Sequence, residues 1–416
     1  MDTLVITIAS IPFVAVLLSN ATLALFTFIA ILPLDTIAIG DVGGIPKLIG
    51  IVATVAFIVT WAIRKKPIRW DRSLSIYLLF LFIGLFSFFW SSNPDSTIQA
   101  FSTYLLAFMI PFLILNICED RHAIDIMMIA LAVAGMITVC SGLIDLVQVL
   151  GTREGVAGII KNPNTYATWC VISLPGLYWL WVKWKKWWGR LLLITAFAGS
   201  LLSILYSLSR GGYISLLAFG LLIVLLSRMR FKTLVLVALV GLLVFWFWPA
   251  EETVRFESFL SGHELRIELI WPIGIEAFLN SPIVGYGLGT NNWVLGRIYG
   301  GYNGRDISAH SAPLAIAIEL GILGLIPYLL FIVFILFQSF RLLKYLRVAQ
   351  SELYSLQIVM IAAFIAFLFS WVKGGGMEYS KILFLLSGLM LVINRIGAEE
   401  VVQTLPQIGA VSQLRL

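Results

Sequence analysis

Apolar runs about twenty residues long recur along almost the whole chain, and no other feature constrains its fold as strongly. A hydrocarbon core of roughly 30 Å needs about 20 mostly apolar residues in helical form to cross it. Runs of this kind fall near 3–19, 21–39, 45–63, 74–91, 98–117, 123–149, 165–182, 191–208, 212–227, 232–249, 312–337, 353–372 and 381–395. Lipid offers no partner to a bare peptide group, so each run is read as a helix that satisfies its own backbone. The expectation is an all-α polytopic integral membrane protein with about 12 transmembrane helices. Only Ser19-Asn20 separates the first two runs, and one of them is expected not to cross fully.

Composition excludes the other classes. Hydrophobic residues make up 60% of the chain and charged residues 12%, against about 45–50% and about 25% in soluble domains. That leaves too little polar surface for a water-facing globule, so a cytosolic enzyme, a secreted disulfide scaffold and a disordered tail are all excluded. Cys118, Cys140 and Cys170 lie in or beside apolar stretches and give neither a disulfide framework nor a CxxC metal spacing. The net charge of +6 sits in short basic runs between apolar segments, a pattern of membrane orientation rather than of nucleic-acid binding. No basic start or small-residue cleavage site precedes the first run, so no signal peptide is expected.

Sidedness follows from those basic runs. Arg64, Lys65, Lys66, Arg69 and Arg72 form one; Lys183, Lys185, Lys186 and Arg190 a second; Arg228, Arg230 and Lys232 a third; Arg341, Lys344 and Arg347 a fourth. With the spans above all four fall on one side, read as cytoplasmic. The opposite side receives the loops 92–97 and 150–164, a tight turn at Ser209-Arg210-Gly211, a long loop over 250–311 and the turn 373–380. The chain thus divides into transmembrane helices over 1–249, the loop 250–311, further transmembrane helices over 312–396 and a loosely ordered cytoplasmic tail over 397–416.

The long loop contains no lysine and carries Glu251, Glu252, Glu257, Glu264, Glu268, Glu276 and Asp306 beside Arg255, Arg266, Arg297 and Arg305. A structured loop of this length usually carries function. Leu265, Leu269, Ile273 and Ala277, with a stop at Asn280-Ser281-Pro282, predict a helix over 263–280. The glycines of Gly285-Tyr-Gly287-Leu-Gly289 follow no strand, which argues against a dinucleotide fingerprint. No internal repeat is visible, which weighs against an inverted-repeat transporter.

Charge at membrane depth is expensive and marks a function or a pair. Three outer-side positions stand out: Arg210 between two apolar spans, Arg266 at the start of the loop helix, and His310 where the long loop re-enters the membrane. Guanidinium groups present a donor fork matched to phosphate oxygens, and a nearby histidine suits a general base for an attacking hydroxyl. Together they point to a transferase acting on a lipid-diphosphate donor. Plainer readings compete. Arg210 as a snorkelling anchor, Arg266 paired with Glu264, and His310 as an interfacial histidine need no chemistry. His263, Glu264 and Glu268 as a metal site lack the HExxH spacing. Trp179, Trp181, Trp184, Trp187 and Trp188 beside basic residues read as an interfacial belt.

Four stretches in order resemble the O-antigen ligase and polymerase superfamily of bacterial envelope enzymes, and its ligases most. They are Arg153-Glu-Gly with Lys161-Asn-Pro-Asn164; Ser207-Leu-Ser-Arg-Gly-Gly-Tyr213; Arg266-Ile-Glu-Leu-Ile-Trp271 running to Asn280-Ser-Pro-Ile-Val-Gly-Tyr-Gly287; and Ala309-His-Ser-Ala with Glu319-Leu-Gly-Ile-Leu-Gly324. The likeness covers roughly 150–330; Ser311 departs from it, since the family often has Asn after the histidine. The resemblance implies a GT-C-like glycosyltransferase in the bacterial inner membrane, its site facing the periplasm and its long, partly helical loop there. The implied donor is an undecaprenyl-diphosphate glycan, the acceptor a lipid A-core sugar hydroxyl, and the reaction inverting, with neither metal nor cofactor. It assigns Arg210 and Arg266 to the diphosphate and His310 to the essential histidine, and extends the substrate-binding set to Arg153, Asn162 and Asn164. A polymerase joining lipid-linked repeat units would use the same donor. Readings of another class are a small-anion transporter, with Asp35, Asp125 and Asp145 as path residues, and a passive envelope scaffold.

Overall fold

The computed structural model describes residues 14–37, 44–149, 155–227, 266–300, 305–374 and 379–404, with a few positions between 234 and 242. Arg153, His263, Glu264 and the basic run at 228–232 lie outside the described residues. Among the described residues there are helices and no strand: α1 (Ala21–Ile31), α2 (Ile45–Arg64), α3 (Arg72–Phe86), α4 (Pro94–Ile117), α5 (Arg121–Val149), α6 (Pro163–Lys183), α7 (Trp187–Tyr206), α8 (Arg210–Leu226), α9 (Trp271–Asn280), α10 (Ala312–Val348), α11 (Leu353–Gly374) and α12 (Ser380–Thr404). Eight helical stretches here are long and apolar enough to cross a bilayer, and α1 and α8 are apolar but shorter.

Most ends match the sequence reading because their caps are written in it. Asp71, Asn93, Asn162 and Ser209 accept from backbone N–H groups at the starts of α3, α4, α6 and α8, satisfying donors that a helix start leaves open. Three expectations change. The turn before α8 lies at Ser207-Leu208-Ser209, and Arg210 is the first helical residue rather than a loop residue. The tail expected from 397 is helical as far as Thr404, with Val401 buried. The loop helix, described from Arg266, opens with a π turn over Arg266–Ile270 before α9.

Packing sorts the helices. α12 lies at the centre; nearly every residue from Ile382 to Ile393 is buried, as an all-round apolar helix requires. It packs on α4, α10 and α11, while α5 packs on α6 and α8 on α11. The periphery is apolar too: Ile63, Phe89 and Leu217 are 76%, 79% and 69% exposed, a surface suited to lipid and not to water. Inside, Asn394 of α12 accepts from Gln357 of α11 at 2.9 Å and bonds Ser339 of α10 at 3.0 Å. Such interhelical bonds fix neighbouring spans in register.

α5, about 43 Å long at 1.5 Å per residue, defines two ends of the bundle. At its N-terminal end lie the close of α2 and the starts of α3, α7 and α11, with the basic runs 64–72 and 183–190. Glu352 there bonds Arg121 at 2.6 Å and Lys183 at 3.2 Å. At its C-terminal end lie the starts of α6, α8 and α12 and the loop 266–311. The sorting of basic runs onto one face therefore holds for the described clusters.

Candidate functional site

At the C-terminal end of α5 several chain turns lie close together, and those leading to α6 and α8 are held by side chains bonding the backbone. Asp145 accepts from Ala157 N at 2.8 Å and Gly158 N at 2.9 Å, pinning the segment that leads to α6. Lys161 then takes a left-handed backbone, φ 59°, before Asn162 caps α6. Asn164 accepts from the Ser209 hydroxyl at 2.8 Å, and that same hydroxyl accepts from Gly212 N at 3.1 Å. This small relay places Arg210 as the first residue of α8, where the helix dipole adds to its own positive charge.

A cavity of 680 Å³ opens here. Arg210 and Arg266, 56 positions apart in sequence, both line it, as do Lys161 and Lys373. Arg266 also donates through Nη1 to the Lys373 carbonyl at 3.0 Å, at the C-terminal end of α11. Asp145 is the acid among the described lining residues, and its Oδ2 is occupied by the two backbone bonds above. Ser370 and Tyr379 add hydroxyls to the wall. The volume lies within the range of small-molecule sites, and its lining brings four basic side chains together.

His310 stands beside this cavity rather than among its lining residues. It occupies a left-handed backbone, φ 48°, which L residues adopt only where the surroundings impose it. The preceding residue supplies that constraint: Ala309 N donates to Asn291 Oδ1 at 3.3 Å, and Ala309 O accepts from Trp271 Nε1 at 3.2 Å. Trp271 follows directly on the Arg266 turn, so one contact ties the histidine segment to the arginine segment. Burial, and after it the charge of Arg266, hold the imidazole below its ordinary pKa of 6.5. The ring is therefore neutral at neutral pH and free to accept a proton.

The structure thus brings together Arg210, Arg266 and Asn164, with His310 within electrostatic reach of Arg266. It does not bring Asn162 to the cavity wall; its side-chain oxygen is spent on Asn164 N and Thr165 N. Arg153 lies outside the described residues, as do His263 and Glu264 of the metal alternative, and Glu268 sits within the π turn. Lys161 and Lys373 went unrecognised as site residues. Their signal was placement: both are basic on the face that the sidedness rule leaves poor in basic residues. The aspartates expected to line a transport path are engaged at helix ends. Asp35 pairs with Lys381, Asp125 accepts from Trp179 Nε1 at 2.6 Å, and Asp145 holds the turn.

Comparison with known proteins finds one match, over one stretch of chain. No curated protein matches the sequence. Residues 195–329, a stretch that holds Arg210, Arg266 and His310, match the family model described as O-antigen ligase.

Proposed function

We propose that this protein is a multi-pass glycosyltransferase of the bacterial inner membrane. It transfers a polysaccharide from undecaprenyl diphosphate to a sugar hydroxyl of lipid A-core at the periplasmic face, without a metal. The carrying observation is the convergence of Arg210, on α8, and Arg266, from the loop, on a single cavity at the end of the bundle opposite the basic face. The domain match at 195–329 supports the same reading.

The chemistry follows from the side chains. The two guanidinium groups hold the donor diphosphate, whose oxygens fit their planar forks. The neutral imidazole of His310 takes the proton of the acceptor hydroxyl. The acceptor oxygen forms a bond to the anomeric carbon as the bond from that carbon to the diphosphate breaks from the opposite side, so the configuration inverts. The departing diphosphate gains negative charge, and Arg210 and Arg266 stabilise it where it develops. Losing one such preorganised donor costs about 10²–10³ in rate. The prenyl chain lies along the apolar helix faces that border the cavity.

Reconstitution tests this directly. Full-length protein in proteoliposomes, given a purified undecaprenyl-diphosphate glycan and lipid A-core, should form the joined product, and His310→Ala should abolish most of it. A chain that joins two lipid-linked repeats but ignores lipid A-core would be a polymerase on the same site. Absence of transfer to either acceptor would overturn the reading.

A further inference from the structure

α10 is broken two residues past Glu319, at Gly321, whose φ of 58° and ψ of −157° leave the helical region. The segment 282–287 fills the break. Pro282 O and Ile283 O accept from Ile322 N at 2.8 Å and Leu323 N at 3.2 Å, and Tyr286 N and Gly287 N donate to Ile318 O at 3.1 Å and Glu319 O at 2.8 Å. Gly285 passes so close to Glu319 that an added Cβ would lie 2.4 Å from its carbonyl carbon. This is the structural use of the glycine-rich stretch.

The break leaves Glu319 with its carboxylate in the protein interior, 2% exposed. The carboxylate accepts from the side-chain amide and backbone N–H of Asn291 and from the backbone N–H of Gly289. A carboxyl group buried at this depth is costly and is kept only where it serves. Asn291 turns its amide nitrogen to Glu319 and thereby its oxygen to Ala309 N. The acid thus decides which way the amide faces, and the amide holds the residue next to His310.

We propose that Glu319 and Asn291 are positioning residues that hold His310 in its left-handed conformation beside Arg266. This inference rests on the function proposed above. Removing the clamp releases backbone strain at His310, and the ring swings away from the arginine. A displacement of about 1 Å at a reacting group costs about 10²-fold in rate.

The test is an exchange of the two polar groups in full-length protein. Asn291→Asp sets two carboxylates face to face, so it should lower kcat about 10- to 100-fold with little change in donor KM. The pair N291D/E319Q restores a donor on residue 319 facing an acceptor on residue 291, which still accepts from Ala309 N, and should regain most of the lost rate. In a His310→Ala background, Asn291→Asp should cost nothing further. A readout without catalysis is labelling of His310 by diethyl pyrocarbonate, followed by mass spectrometry: faster in Asn291→Asp, and back to the parental rate in the pair. A pair as slow as the single variant, an equal loss in the His310→Ala background, or unchanged labelling would each overturn the clamp. Wild-type transfer by His310→Ala would instead remove the proposed general base, while the labelling arm still judges the clamp.

Discussion

Gly321→Ala is the sharpest structural perturbation available, because a single methyl group contests the break in α10. Its φ/ψ pair lies in a region reached almost only by glycine, and a Cβ there would stand 2.3 Å from Ile283 O. If the break survives, backbone strain of about 1–3 kcal/mol remains, with the contact to a backbone oxygen added. If the helix heals, Ile322 N and Leu323 N regain partners within α10. The four bonds between the break and segment 282–287 are then given up, and the loop is left with two unmatched donors and two unmatched acceptors. A net loss of two bonds at about 1 kcal/mol each gives about 2 kcal/mol. Either route predicts a loss of about 2–3 kcal/mol, roughly 30- to 150-fold in the folding equilibrium. Tryptophan-fluorescence melting in detergent, beside a transfer assay, checks it, since Glu319 sits at the break. Gly300→Ala is the comparator: its φ is 67°, yet nothing lies within 4 Å of an added Cβ, so it should cost only about 1 kcal/mol. A Gly321→Ala protein that melts with the wild type and transfers normally would refute the reasoning.

Three further outcomes follow from the site. Arg210→Ala and Arg266→Ala should each lower transfer by at least about tenfold while membrane insertion, read by fractionation, stays unchanged. Because burial, and after it the charge of Arg266, hold the His310 pKa below its ordinary 6.5, the neutral imidazole persists to lower pH than an ordinary histidine allows. Activity should therefore be lost only as pH falls through that depressed value. Arg266→Gln should move the midpoint for His310 labelling by diethyl pyrocarbonate, which attacks the neutral ring, to higher pH; an unmoved midpoint would show that the charge does not act on the ring. Transfer should also be insensitive to chelators, and loss of activity on chelation would return His263, Glu264 and Glu268 to consideration.

What the sequence disclosed and what it withheld divide along a physical line. A bilayer imposes one length and one polarity on every span, so the starts of α2 to α8 and α10 to α12 could be read to within a few residues, whereas α10 and α12 run on past the expected ends near 337 and 395 to Val348 and Thr404. The cap at Asn162 was missed: the resemblance assigned that residue to the substrate, whereas its side-chain oxygen caps α6. The break at Gly321 could not be read, since a glycine within an apolar run has the same signature in a continuous helix. Convergence of Arg210 with Arg266 was likewise invisible to spacing, and there the family resemblance supplied what periodicity could not. One local signal was nevertheless present. Positive charge on the side opposite the basic runs has to be justified by a partner or by function, and much of it gathers at one place. Arg297 bonds Asp306 at 3.0 Å and Lys381 pairs with Asp35, whereas Lys161, Arg210, Arg266 and Lys373 all line the cavity. In a chain whose basic residues are otherwise sorted by the membrane, the exceptions are the residues to follow to the site.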